Sequence, residues 1–296
     1  MKILLIAPDS KLPNLALMKL SAYHQAQGDT IGFHIPDPDI VYGSIIFHKN
    51  KGWAEQWKRM YPDSAVIVGG PGFDPKVKLP PVIEAWAPDQ NLYSSKYSIG
   101  RVTSGCPRRC SFCMVSLLEP DGIRYIQSPA KIWKPGTILR LLDDNILAME
   151  SAFWEVNNFC LSQKVTIHFE YLDARLLTDS LAFGLAQMKH EYSCIHFSWD
   201  QTKDEPLIRR GIERMTNARV APGRLTFLVY LHDEASIPDA MYRWKILREL
   251  GVTPFLMVNN EKRTPLLRKI ARRGCRPMIW RYMTAEELFS DTPRKT

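Results

Sequence analysis

The stretch Gly105-Cys106-Pro107-Arg108-Arg109-Cys110-Ser111-Phe112-Cys113 decides how the rest of this chain is read. Its three cysteines fall at C-x3-C-x2-C spacing, directly after residues 97–105, which read as a strand. Three thiolates on one tight loop can hold three corners of an iron–sulfur cube and leave the fourth iron open. Electron-transfer clusters are usually closed by a fourth cysteine, and none lies near this loop. An open metal position marks a catalytic site, by the logic that separates catalytic from structural zinc. Two plainer readings compete. Free cysteines are often small buried hydrophobes, and a zinc knot lacking one ligand would look similar. A zinc site, however, wants a second C-x2-C or a histidine pair downstream, and none of the seven histidines has that spacing.

Outward from the loop, strand and helix patterns alternate. Strands are expected at 97–105, 137–144, 165–171, 194–200, 225–231 and 252–258, with helices at 149–161, 178–190, 206–217, 238–250 and 265–273. The strand candidates are near-continuous apolar runs, the mark of parallel strands buried on both faces. Six such units must curl to bury both faces, which predicts an open partial (β/α)6 barrel over residues 93–285, followed by a tail at 286–296. Residues 1–92 read as a small Rossmann-like domain, with strands at 2–8, 30–34, 39–47 and 65–69 and helices at 15–27 and 53–61. Prolines 80, 81 and 88 mark 78–91 as a linker. The fold class is therefore α/β.

The totals set bounds. In 296 residues, 45% are apolar and 24% charged, which supplies a core and argues against wholesale disorder. No apolar run reaches the ~20 residues of a membrane span. The opening Met-Lys-Ile-Leu-Leu-Ile-Ala is too short for a signal peptide and reads as a first strand. Six cysteines, three of them clustered, make no secreted disulfide framework, so a reducing cytoplasm is expected. The net charge of +8 permits a polyanionic partner without requiring one.

Cys106-x3-Cys110-x2-Cys113, placed after the first of six strands, resembles the signature of the radical S-adenosylmethionine (SAM) superfamily, over roughly residues 97–285. The resemblance implies a [4Fe-4S] cluster on the three cysteines, with SAM on the open iron. It further implies reductive cleavage of SAM to a 5′-deoxyadenosyl radical and a flavodoxin- or ferredoxin-like electron donor. The N-terminal block resembles the Rossmann-type domain of the cobalamin-dependent branch. It lacks the Asp-x-His of that branch, so a degenerate domain that binds no cobalamin through that ligand is expected. By position, the resemblance puts Phe112 against adenine and Asp143, Asp144 and Asn145 on the SAM amine, where core packing and a polar strand end are the plain readings. Asp173 and Arg175 follow the third strand, where a guanidinium could take the SAM carboxylate; an ordinary ion pair is the alternative.

His168 and Glu170 share one strand face, and His196, Ser198 and Asp200 share another. Such groups suggest a polar substrate, against the commoner case of satisfied core histidines. Tyr230, Cys194 and His196 are the catalytic candidates, and Asp200 joins the cofactor-binding set. Cys160 and Cys275 read as buried hydrophobes. Gly69-Gly70-Pro71-Gly72 matches no phosphate-loop motif and reads as a strand-end turn. Arg209, Arg210 and Arg214 on one helix, and Arg268, Lys269, Arg272 and Arg273 on another, leave modification of a nucleic acid or nucleotide as an alternative function. A non-catalytic metal-binding or redox-sensing protein is the third.

Overall fold

The computed structural model describes residues 1–9, 12–259, 263–276 and 281–290. The fold is α/β with parallel sheets, and contacts divide it into two compact units, Met1–Ile146 and Leu147–Thr296.

The first unit opens with β1 (Lys2–Ile6), α1 (Leu15–Ala26), β2 (Thr30–Gly32), β3 (Ile40–Ser44), α2 (Trp53–Met60) and β4 (Ala65–Gly69). The four strands form a parallel sheet in the order β2-β1-β3-β4, with Ile3 opposite both Ile31 and Ile40. Asn14 starts α1 by accepting the Leu17 N–H at 3.2 Å, satisfying an amide the first turn cannot. Helix α2 packs so closely that a Cβ on Gly43 would lie 2.2 Å from the Trp57 ring. Only glycine permits that approach. The expected linker is not loose chain. It contains α3 (Pro81–Glu84), whose Ile83 joins Leu5, Leu17 and Leu20 in one apolar cluster. Lys19 bonds Glu84 at 2.6 Å, and Asp89 takes Ser21 at 2.8 Å. Prolines stop a long helix there, but the apolar side chains between them still find the core.

The strand expected at 97–105 is broken. Its first part, β5 (Tyr97–Gly100), pairs in parallel with β8 (Ile138–Leu141), Tyr97 opposite Ile138. The chain then turns at residues 101–102, and β6 (Thr103–Ser104) pairs antiparallel with β7 (Arg124–Tyr125). Between these two short strands lie the cysteine loop and α4 (Val115–Leu118). Helix α5 (Pro129–Ile132) leads on to β8.

The second unit runs α6 (Glu150–Gln163), β9 (Thr166–Phe169), α7 (Asp179–Gln187), β10 (Lys189–His190), β11 (Ile195–Ser198), α8 (Glu205–Asn217), β12 (Leu225–Leu231), α9 (Ile237–Glu249), β13 (Thr253–Val258), α10 (Pro265–Gly274) and α11 (Ala285–Phe289). β9 and β10 pair in parallel, as do β11, β12 and β13 in that order. Helix α7 ends three residues early, and Lys189 and His190 become β10 instead. Phe197 and Phe227 stack at 5.2 Å between neighbouring strands, a contact worth about 0.5–1.5 kcal/mol beyond its buried area. The segment expected as a tail begins with α11, whose Thr284 and Glu287 form a reciprocal capping box. Among the described residues, no helix is long and apolar enough to cross a membrane.

Candidate functional site

The β6–β7 pair closes a hairpin whose tip carries the three cysteines. Gly105 enters it at φ +87, and a Cβ there would lie 1.9 Å from the Gly122 carbonyl oxygen. The two sides of the hairpin are in backbone contact at its neck. Cys113 N donates to the Cys110 carbonyl at 3.0 Å, so the last two cysteines share one tight turn.

Three consecutive residues after β8 hold this entrance. Asp143 is buried, and one oxygen accepts the Val102 N–H at 3.2 Å. The other accepts the Thr103 N–H and, at 2.7 Å, the Thr103 hydroxyl. Burial pushes the Asp143 carboxyl up to about 6, against the downward pull of these donors and of Arg101. Asp144 accepts the Gly105 N–H at 2.8 Å and pairs with Arg101 at 3.2 Å. Asn145 Nδ2 donates to Cys106 Sγ at 3.3 Å, and the Arg108 N–H reaches the same sulfur at 3.5 Å. The Asp-Asp-Asn run thus braces residues 102–106 from strand entrance to first cysteine.

Cysteine is the residue type that iron–sulfur clusters take as ligand. None of the six cysteines is in a disulfide, and the three on the loop are half-buried with two N–H donors aimed at the first. Hydrogen bonds to a ligand sulfur are among a protein's means of setting a cluster's potential. Among the described residues, no three His, Cys, Asp or Glu side chains form a group that could hold a metal ion. Burial pushes the Cys160 thiol up to about 12 and also raises Cys275, whose S–H donates to the Leu256 carbonyl at 2.9 Å.

In the second unit, Arg175 lies between two carboxylates. Its Nε and Nη2 meet Asp173 at 2.6 and 3.0 Å, and Nη1 meets Asp204 at 2.6 Å. Burial alone would lower the guanidinium, but the two carboxylates hold it above its ordinary value. The planar edge that suits a ligand carboxylate is therefore taken by Asp173. Burial pushes Asp200 up to about 6, opposed by Arg243 and Arg175. His168 Nδ1 lies 3.0 Å from Glu191, Nε2 lies 3.9 Å from Glu170, and its ring centre is 5.2 Å from that of His196. These four side chains form one polar group. His190, the chain neighbour of Glu191, is bonded to the Leu185 carbonyl at 2.7 Å, and burial, with the nearby Arg224, His196 and His168, pushes it down to about 4.

The other expected residues separate by strand end. Cys194 precedes β11 and Asp200 follows it, about 20 Å apart along an extended chain. Tyr230 is near the far end of β12, with His232 at 6.0 Å between ring centres. Phe112 is half-buried beside Cys113. The glycine run at 69–72 is a turn, as expected: Gly72 N donates to the Ile45 carbonyl at 2.9 Å, which removes one amide a phosphate would need. Sequence reasoning missed Arg243, a side chain 1% exposed. Its Nη1 donates to the Trp199 carbonyl and its Nη2 to the Tyr230 carbonyl at 3.0 Å, fastening the ends of β11 and β12. Its position among Ala240, Trp244 and Leu247, the buried face of α9, was the available signal. No family model matches the chain, and no curated protein matches it either.

Proposed function

We propose that this chain is a radical SAM enzyme acting on a substrate that its sequence does not name. The observation that carries the reading is the braced loop: three cysteines at C-x3-C-x2-C, with Asn145 and the Arg108 amide donating to Cys106. Cys106, Cys110 and Cys113 would hold a [4Fe-4S] cluster, with SAM at the iron they leave open. When bound and reduced, that pair supplies a 5′-deoxyadenosyl radical that takes a hydrogen atom from the substrate.

The chain's own residues supply orientation and charge. Asp143 and Asp144 fix the backbone that leads into the loop, so the first thiolate is placed before any cofactor arrives. The Asn145 donor lowers the electron density on one ligand sulfur. Phe112 is proposed to lie along adenine. In the second unit, His168, Glu170, Glu191 and His196 are proposed to bind and exchange protons with a polar substrate. The six expected strands are all present in order as β5, β8, β9, β11, β12 and β13, which supports a partial barrel preceded by a Rossmann-like block. With no Asp-x-His in that block, we assign it no cobalamin ligand. A reducing cytoplasm and a small electron-transfer protein as donor complete the reading.

The nucleic-acid alternative has less behind it. Arg209 pairs with Glu205, Arg214 with Asp179, and Arg273 donates to the carbonyls of Glu287 and Ser290. Iron and sulfide analysis after anaerobic reconstitution tests the proposal. We expect about four of each per chain, and their loss in Cys110→Ala. Zinc without sulfide would replace this reading with that of a structural metal protein.

A further inference from the structure

The parallel sheet of the first unit has two edges, and they differ. β2, at one edge, is three residues long, and so short an edge strand offers little to pair with. β4, at the other edge, reads Ala65-Val66-Ile67-Val68-Gly69. It carries no charge and no proline, the devices that keep an edge strand from pairing with another chain.

Alternate residues of β4 bond to β3. Ala65 N donates to the Asp39 carbonyl at 3.0 Å, and the Gly69 carbonyl accepts the Ile45 N–H at 2.9 Å. The residues between, Val66 and Val68, turn their N–H and C=O groups to the free edge, where they have no partner among the described residues. The chain after β4 turns back over β3 and leaves that edge open. Gly72 N reaches the Ile45 carbonyl, and a Cβ on Gly72 would lie 2.6 Å from the Phe47 backbone. Ile67, between the two valines, is 48% exposed.

We propose that β4 pairs antiparallel with β4 of a second copy of this chain, across a two-fold axis at Ile67. The free groups are symmetric about Ile67, so they complement themselves: Val66 faces the second copy's Val68, and Val68 faces its Val66. Each of these pairs exchanges two N–H···O bonds. Ile67 then faces itself at a non-hydrogen-bonded position, where Cα atoms are about 4.5 Å apart and side chains meet most closely. The axis stands perpendicular to the sheet, so both copies of α2 lie on one face. Helix α2 covers β3 and β4 together, since Trp57 meets Gly43 and clusters with Val68. With strands about 4.8 Å apart, the two helices would lie about 10 Å apart, an ordinary packing distance. A helix layer thus extends an interface that the strands alone would leave small, and a self-complementary patch closes at the dimer. The assignment concerns the polypeptide alone and holds whatever the cysteine loop binds.

Sedimentation velocity of the full chain tests this. The unchanged chain should sediment as a dimer, at twice its 34.0 kDa mass. Val66→Pro removes an edge N–H without touching a bond to β3, and Ile67→Lys sets like charges across the axis; both should sediment as monomers. Ile67→Lys decides if Val66→Pro does not fold. Oxidised Ile67→Cys should give a disulfide-linked dimer absent from the unchanged chain, because about 4.5 Å lies within the roughly 4.4–6.8 Å that a disulfide spans between Cα atoms. A monomeric unchanged chain, a dimer that survives Ile67→Lys, or oxidised Ile67→Cys without a cross-link would overturn the assignment.

Discussion

Replacing Gly105 with alanine should open the neck of the cysteine hairpin, and Gly122→Ala provides the internal control. Both glycines have positive φ, +87 and +81, so both substitutions carry the left-handed penalty of about 1–2 kcal/mol. Their surroundings differ. The new methyl at 122 would meet nothing within 4 Å, whereas the one at 105 would lie 1.9 Å from the Gly122 oxygen and 2.6 Å from its carbon. Backbone cannot rotate out of the way as a side chain can. Relieving the overlap costs about 1–3 kcal/mol, and losing the Gly105 amide bond to Asp144 adds about 1.5–3 kcal/mol. The expected totals are about 5 kcal/mol at 105 and about 1 kcal/mol at 122. Two compact units need not unfold in one step, so hydrogen exchange read on peptides covering residues 100–125 is the suitable assay. Gly105→Ala should exchange there far faster than Gly122→Ala and should hold less iron after reconstitution. Equal protection in the two variants would refute the reasoning about the neck.

Three further outcomes follow from the same geometry. Asp143 sits at about 6 when folded against 3.8 otherwise, so the folded chain holds the extra proton between those values. Its contribution to stability is complete below about pH 4 and declines by about 3 kcal/mol as pH rises through 6. Asp143→Asn should remove that decline, leaving the opposed contributions of Asp200, raised over the same range, and of His190, lowered to about 4; an unchanged profile would count against it. Arg243→Met removes a buried cation that fastens two strand ends and should cost about 3 kcal/mol, seen as a lower urea midpoint with iron content unchanged. Asn145→Leu removes the donor on Cys106 and should lower the cluster's midpoint potential in an EPR-monitored titration; an unmoved potential would show that the bond is only structural.

The strands were legible because parallel strands buried on both faces are long apolar runs, and Phe227, Val229 and Leu231 on β12 are as buried as that pattern implies. The grouping of the three cysteines on one loop was legible because they lie within eight residues of one another. What escaped was long-range. The break at residues 101–102 follows from Asp143, some forty positions away, capturing the Val102 and Thr103 amides, and no window around the strand contains that partner. The Asp-Asp-Asn run was read either as a ligand site or as a polar strand end; its bonds to residues 102–106 depend on partners some forty positions away. For Arg175 the sequence left a ligand carboxylate and an ordinary ion pair both open; Asp173, two residues away, takes the Nε–Nη2 edge, and Asp204, far along the sequence, adds a second partner. Glu191 was overlooked because its neighbours carry no pattern until His168 is placed beside it.

The central claim is best tested by incubating the anaerobically reconstituted chain with SAM and dithionite and measuring 5′-deoxyadenosine. Release that vanishes in Cys106→Ala, Cys110→Ala and Cys113→Ala is the predicted result. A sample with full iron and sulfide that leaves SAM intact would contradict it.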